Sequence, residues 1–212
     1  MNPTDVSTDI AHAARQLLAR PLLLALAVLP LAVAIATLAV LTAIVQATLT
    51  GPMPGIARDP GTLVELGRGE NLDTLSWPDV QALETGTRSF THVYAWRLLP
   101  VNARRPDTVG STRALGMLVS GDYFGALGVR ALHGRLLGAE DIAAGTSAPS
   151  AVISAAAFAR IYDGDPARLV EPLIINGHAH RVLGVVDPGF TGHVVALAPD
   201  YWLPITLQPL VM

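Results

Sequence analysis

The hydrophobic pattern of the chain is dominated by one stretch, Pro21 to Leu49, twenty-nine residues without a charged side chain, bracketed by Arg15 and Arg20 before it and by Arg58 and Asp59 after it. A helix rises about 1.5 Å per residue, so about 20 such residues cross a hydrocarbon core, and this run is long enough to do so with tilt. A cleavable signal peptide is the alternative, with Ala32-Val33-Ala34 and Ala34-Ile35-Ala36 as small-x-small sites. Cleavage there would leave Thr37 to Val45 as an apolar, uncovered start of the mature chain. The reading adopted is an uncleaved transmembrane helix over 21–49, with Pro30 tolerated because neighbouring groups satisfy its freed carbonyl inside a membrane. Two arginines stand close before the span, whereas Arg58 lies nine residues beyond it, which favours a cytoplasmic N-terminus. Within the N-terminal segment 1–20, residues Ile10, Ala13, Ala14, Leu17 and Leu18 have helical spacing, fitting either an interfacial helix or a plain extension of the span.

Beyond the span the pattern changes to short elements. The stretch GPMPGIARDPG, within 50–61, reads as a linker because proline and glycine punctuate regular structure. Thr62–Leu66 predicts a short strand. Ser76-Trp77-Pro78-Asp79 resembles a capping box, opening a helix to about Thr85 with Trp77, Val80 and Leu83 on its apolar face. Phe90 to Val101 is rich in β-favouring residues and predicts a strand, with Asn102–Asp107 as a turn and Thr108–Val119 as the returning strand. Ser120 is expected to cap a helix over Gly121–Leu127 that Gly128 stops. Ala151–Ile153 predicts a strand, Ser154 the cap of a helix to Tyr162, and Asp163-Gly164-Asp165-Pro166 its end. Leu169–Ile175 and His180–Val186 predict strands joined through Asn176-Gly177, the strongest hairpin signal in the chain. Asp187-Pro188-Gly189 reads as a turn and Tyr201–Leu207 as a last strand. Strands alternating with short helices around one hairpin predict an α+β domain over 62–212 with a mixed or antiparallel sheet.

Composition narrows the function. Residues 51–212 carry 12 Arg against 15 Asp and Glu with no basic stripe, which argues against nucleic acid as a partner. The chain has no cysteine and no lysine, so thiolate chemistry, disulfides, a P-loop lysine and Schiff-base chemistry are absent.

Candidate chemistry is sparse. His178 and His180 stand at i and i+2, a spacing that places both on one face of a strand and can bind zinc if His193 approaches, but they flank a turn with no carboxylate nearby in sequence. A solvated hairpin is the simpler account. Asp163-Gly164-Asp165 has oxygen ligands at calcium-loop spacing without the longer loop pattern, so a helix-ending turn is expected. Gly67-Arg68-Gly69 lacks the third glycine of a dinucleotide site. Trp77, Trp96, Tyr201 and Trp202 are expected in the core. No catalytic residues, metal or cofactor are predicted.

Several ordered blocks carry a family resemblance. Val119 to Leu137, VSGDYFGALGVRALHGRLL, resembles the signature of the MacB-like periplasmic core domain of bacterial ABC-type permeases of the FtsX-like class. AVISAAAFARIYDGDPARL, INGHAHRVLGVVDPGFTG and PDYWLPI are similar to its later blocks. IAHAARQLLARP, the span and LTGPMPG resemble the start of orphan permeases without a fused ATPase. The residues carrying the match are Ser120, Gly121, Tyr123, Phe124, Leu127, Gly128, Gly134, Arg135, Asp165, Pro166, Asn176, Gly177, Gly184, Val185, Pro188, Gly189, Phe190, Gly192 and Pro204. They read as structural, several falling where a turn or cap is expected. Val170-Glu171 departs from the pattern, since family members more often have a glycine there.

The resemblance implies a non-catalytic extracytoplasmic domain between the first and second membrane helices of a permease in the bacterial inner membrane. Such a domain contacts partners or cargo and moves with membrane helices that respond to ATP hydrolysis elsewhere in the complex. Its expected partners are the membrane and permease helices or an ATPase subunit supplied by other chains. Because a second membrane helix is expected just where the sequence stops, a truncated or split permease is expected. The rival readings are an anchored metal-dependent enzyme and a small-molecule or lipid-binding domain.

Overall fold

The computed structural model describes residues 21–50, 55–57, 62–67, 74–120, 122–142, 149–194 and 197–211. The expected N-terminal helix over 6–19 and Gly121 lie outside them. The chain forms two compact units, Met1–Gly51 and Pro52–Met212.

In the first unit, helix α1 runs Pro21–Thr50 through Pro30. Its stretch Val28–Gln46 is long and apolar enough to cross a membrane, and none of it is buried. The hydroxyls of Thr37 and Thr42 donate to the Val33 and Leu38 carbonyls at 2.8 Å, so the helix's own backbone satisfies these polar groups.

The second unit is built on seven strands: β1 (Trp96–Arg104), β2 (Thr112–Val119), β3 (Ala131–Gly134), β4 (Ser150–Ile153), β5 (Leu173–Ile175), β6 (His178–Val186) and β7 (Tyr201–Pro204). Their order is β3-β6-β4-β7-β2-β1-β5, and β5 also pairs with β6, so six strands close into a ring and β3 lies along β6. The β2–β7 and β4–β6 pairings are parallel and the others antiparallel, giving the mixed sheet that the alternating pattern predicts.

The central strands are apolar without alternation because both faces are covered. Leu118, Ala151, Ile153, Tyr201 and Leu203 enter one cluster with Phe158 and Tyr162, whereas Met117, Val119, Val152 and Trp202 enter a second with Tyr123, Phe124 and Phe190. Successive residues thus serve opposite cores, as a period of two requires.

Helix α2 (Trp77–Gly86) begins at the expected capping box: the Asp79 N–H donates to Ser76 Oγ at 3.4 Å and the Ser76 N–H to Asp79 Oδ2 at 3.2 Å. Val80 is buried, with Trp77 and Leu83 half-buried. Helix α3 is Tyr123–Leu127, α4 is Ala139–Ile142, α5 is Ala155–Tyr162 and α6 is Gln208–Val211. Ser154 caps α5, accepting from the Ala157 N–H at 2.9 Å and donating to Asp200 Oδ1 at 2.9 Å, which ties the helix start to β7.

Several expectations are corrected. Residues 62–66 form no strand: Leu63 lies against the second core, but the backbone there has no ladder partner among the described residues. The first strand begins at Trp96 and continues to Arg104, taking up residues expected in the turn, and β2 begins only at Thr112. Residues Pro166–Val170 form a 3-10 turn, shortening β5 to Leu173–Ile175, whereas β6 starts at His178. Past Pro204 the chain leaves the sheet as a 3-10 turn over Ile205–Leu207 and then α6. The cap of α3 is Asp122, which accepts from the Gly125 N–H at 3.2 Å; Ser120 is instead buried and accepts from the Ala95 N–H at 2.7 Å.

Candidate functional site

Two glycine-marked turns, at Gly128 and at Gly189, face one short segment near the start of the domain. Gly128 ends α3 in the left-handed conformation, at φ 68, as its place after Leu127 predicts. The Asp187-Pro188-Gly189 turn is closed by the Phe190 N–H donating to the Asp187 carbonyl at 2.9 Å and the Gly189 N–H donating to Asp187 Oδ1 at 2.8 Å. Gly192, at φ 98, turns the chain past Pro199.

Against this surface lies a short strap, Gly55–Ala57, five to seven residues after the last residue of α1. The Ala57 N–H donates to the Leu127 carbonyl at 3.1 Å. Gly55 sits so close to the next turn that an added Cβ would stand 2.5 Å from both N and Cα of Phe190, and its φ is +73. Gly128 is also close, since a Cβ there would lie 2.9 Å from that of Ala57. The stretch expected as a linker thus contains a docked segment.

Beneath the strap is an aromatic nest. Tyr123 packs edge-on against Tyr94 at 5.2 Å, Phe124 against Trp202 at 5.9 Å, and Phe190 lies 5.5 Å from Trp202. His193 is enclosed in the nest, 4.9 Å from Trp96, with Nδ1 at 2.8 Å from the Tyr123 hydroxyl. Burial lowers the imidazole pKa to about 4 and raises that of the Tyr123 phenol, so both are neutral at pH 7. The phenol and Nδ1 share one hydrogen bond, whose donor is set by the tautomer of the neutral ring. Nε2 of His193 and Nε1 of Trp202 are buried without a polar partner among the described residues.

The remaining signature residues form two further groups. Gly134 (φ 66) and Gly184 let β3 and β6 cross: a Cβ on Gly184 would stand 2.4 Å from the Arg135 carbonyl oxygen and 2.5 Å from that of His133. Arg135 holds Asp141 through two bonds of 2.5 and 2.7 Å, which keeps that carboxyl below the usual range. Val185 is fully buried in the first core. The other group shapes chain reversals. Asp165 accepts from the Ala167 N–H at 2.9 Å with Pro166 opening the 3-10 turn. Asn176 and Gly177 have φ of 47 and 89, the geometry of the predicted two-residue hairpin turn. Pro204 ends β7.

The histidines are not assembled into a ligand set. His178 is exposed, whereas the buried His180 donates Nδ1–H to the His178 carbonyl at 2.9 Å. His193 belongs to the aromatic nest, and among the described residues no three His, Asp or Glu side chains are grouped to hold a metal ion. Val170 is 86% exposed and Glu171 pairs with Arg168 at 3.1 Å, so the departure from glycine there is accommodated at the surface. Of the four predicted core aromatics, Tyr201 and Trp202 are fully buried while Trp77 and Trp96 are half-buried. Sequence reasoning did not find Gly55, Ala57, Tyr94 or Asp122; the one local signal was Asp122 standing three residues before Gly125.

Comparison with known proteins bears on the fold and the family. No curated protein sequence matches the chain. Among solved structures, the periplasmic region of MacB from Actinobacillus actinomycetemcomitans is similar at 19% identity and a TM-score of 0.51, over 66% of this chain and 63% of that one. The extracellular domain of the noncanonic ABC-type transporter YknZ from Gram-positive bacteria is similar at 18% identity and a TM-score of 0.51, over 64% of this chain and 65% of that one. The chain spans less than two thirds of each of these structures, and at such identity the likeness establishes the shared fold. Residues 24–211 match the MacB-like periplasmic core domain, a range that includes most of α1, the strap and the blocks from Val119 to Pro204 but not IAHAARQLLARP, and the chain therefore belongs to that family of transporter periplasmic domains.

Proposed function

We propose that this protein is a membrane-anchored permease subunit of an ABC-type transporter, whose extracytoplasmic domain contacts partners or cargo and follows the motion of the membrane helices without catalysing a reaction. The carrying observation is the strap. It is the first described segment of the domain after α1, and it is held by signature residues at Leu127, Gly128 and Phe190. Four residues, Gly51-Pro52-Met53-Pro54, separate it from the helix, and their two prolines restrict the backbone, which favours transmission of a displacement over its absorption. The aromatic nest under the strap then moves as a body, because close-packed cores shift between discrete arrangements and do not deform continuously.

The non-catalytic reading is supported by the use to which the polar groups are put: Asp122, Asp165 and Ser154 cap turns, Ser120 and Asn176 bond strand backbones, and Arg135 and Arg160 brace Asp141 and Asp200. The N-terminus is assigned to the cytoplasm from Arg15 and Arg20. The complex then includes an ATPase subunit. Co-purification from membranes after mild solubilisation tests this: an ATPase or permease subunit is expected to accompany the full chain, and its consistent absence would refute the assignment.

A further inference from the structure

A second feature lies on the outer face of the β1–β2 hairpin and takes no part in the strap. Leu99, Val101 and Ala103 of β1 point into the core, so Pro100, Asn102 and Arg104 share the opposite face. Asn102 is directly paired with Arg113 of β2, which places Arg113 on that same face. Arg104 lies one pleat further along β1, so the two arginines are diagonal neighbours, at a Cα separation of about 7–8 Å. They border an open groove of about 670 Å³ whose lining contains no acidic residue. That volume lies within the usual range of small-ligand sites.

The groove is pre-shaped. The Asn176 side chain accepts from the Asn102 N–H at 2.8 Å and donates to the Val211 carbonyl at 2.6 Å, pinning the hairpin turn and the end of α6 to the edge of β1. Arg104 is anchored through Nη1, which is shared among the carbonyls of Arg105, Pro106 and Thr108 at 3.1 to 3.5 Å. Its guanidinium is thereby held in place with no carboxylate partner among the described residues, and the exposed Arg113 has none either. Arg105, Arg135, Arg160 and Arg168 are ion-paired, and of the arginines without an ion pair among the described residues, which include Arg88, Arg97, Arg130 and Arg181, only Arg104 and Arg113 line this groove.

We infer that this groove is a binding site for a small phosphate-type oxyanion, held between the guanidinium groups of Arg113 and Arg104. Two arginines lining one groove match an oxyanion better than a neutral or cationic ligand, because paired charge-assisted bonds give both energy and orientation. The ligand is free phosphate or the phosphodiester headgroup of a lipid, which present the same chemistry to the arginines. Pro100 and Leu210 at the rim suit a headgroup that carries carbon atoms.

The test uses the full chain in non-ionic detergent, titrated with inorganic phosphate and, separately, with glycerophosphoglycerol, the deacylated headgroup of phosphatidylglycerol. Arginine Nε–H signals are followed by NMR. Shifts confined to Arg104 and Arg113 are expected, with the exposed Arg97 of the same strand unmoved. Arg113→Gln is expected to weaken binding about tenfold or more, and Arg113→Lys to restore part of it. Tighter binding of the headgroup identifies a lipid as the source, and equal or tighter binding of phosphate identifies the free ion. No shift with either probe, equal shifts at Arg97, or an unchanged affinity in Arg113→Gln would overturn the assignment.

Discussion

Gly55 rests with its Cα directly on the backbone of Phe190, although the two are 135 positions apart in the chain. The contact has no room for a side chain, and the glycine's φ of +73 adds a conformational reason for its identity. Gly55→Ala should therefore lift the strap off the nest while leaving the sheet intact. The expected outcome is faster hydrogen exchange at the Ala57 amide, which donates to the Leu127 carbonyl, with little change at the amides of β2 and β7.

Phe190 supports the strap from below and is 3% exposed, in contact with Phe124 and Trp202. Phe190→Ala should cost about 3–5 kcal/mol by leaving a cavity in a packed core. Chemical denaturation of the full chain in detergent, followed by tryptophan fluorescence, measures it. A cost below about 1 kcal/mol would mean that the nest is not tightly packed.

His193 makes stability depend on pH in a defined direction. Its folded pKa of about 4 lies below the ordinary 6.5, so between these values the unfolded chain binds a proton that the folded one refuses. Stability contributed by the neutral ring is complete above pH 6.5 and is lost as pH falls toward 4, by about 3 kcal/mol in all. The faces around it are Tyr94, Trp96 and Tyr123, none of which is charged in this window. His180, lowered mainly by burial, acts in the same direction, so the quantity to measure is the difference between the native chain and His193→Gln. The variant should lose stability less steeply between pH 6.5 and 4.5.

Asp122 takes the helix-cap role that local sequence suggests for Ser120. Asp122→Ala should cost about 1 kcal/mol as a lost helix cap. Ser120→Ala should cost about 1–3 kcal/mol, because it strips the half-buried Ala95 N–H of its acceptor. Equilibrium unfolding of the two variants measures both costs, and an unchanged stability in Asp122→Ala would rule out Asp122 as the cap.

What was legible in the sequence was local. Ser76 and Ser154 cap helices three residues ahead of their partners, Asn176-Gly177 fixes a turn from its own backbone preferences, and the charge-free run of 21–49 is a property of consecutive residues. What was missed depends on distant partners. Strand β3 is four residues long and mostly exposed, so it has no hydrophobic alternation to read and exists because β6 pairs with it. Residues 62–66 have the composition of a strand but find a core instead of a ladder. The strap reads as a linker because glycine and proline mark irregular backbone whether it is solvated or, as at Gly55, pressed against a turn formed far along the chain. The signature residues were visible as blocks, but that Leu127, Gly128 and Phe190 converge on one segment was apparent only in three dimensions.

The most direct test of the central claim is ATP hydrolysis by the complex that co-purifies with the full chain, compared with that of a variant carrying four flexible residues, Gly-Gly-Ser-Gly, inserted after Pro54. The insertion lengthens the tether between α1 and the strap without touching the packed domain. Coupling through the strap predicts an unchanged unfolding transition, an ATPase still bound, and a clearly altered hydrolysis rate. Hydrolysis identical in both complexes would show that the strap transmits nothing, and the absence of any ATPase would contradict the permease assignment itself.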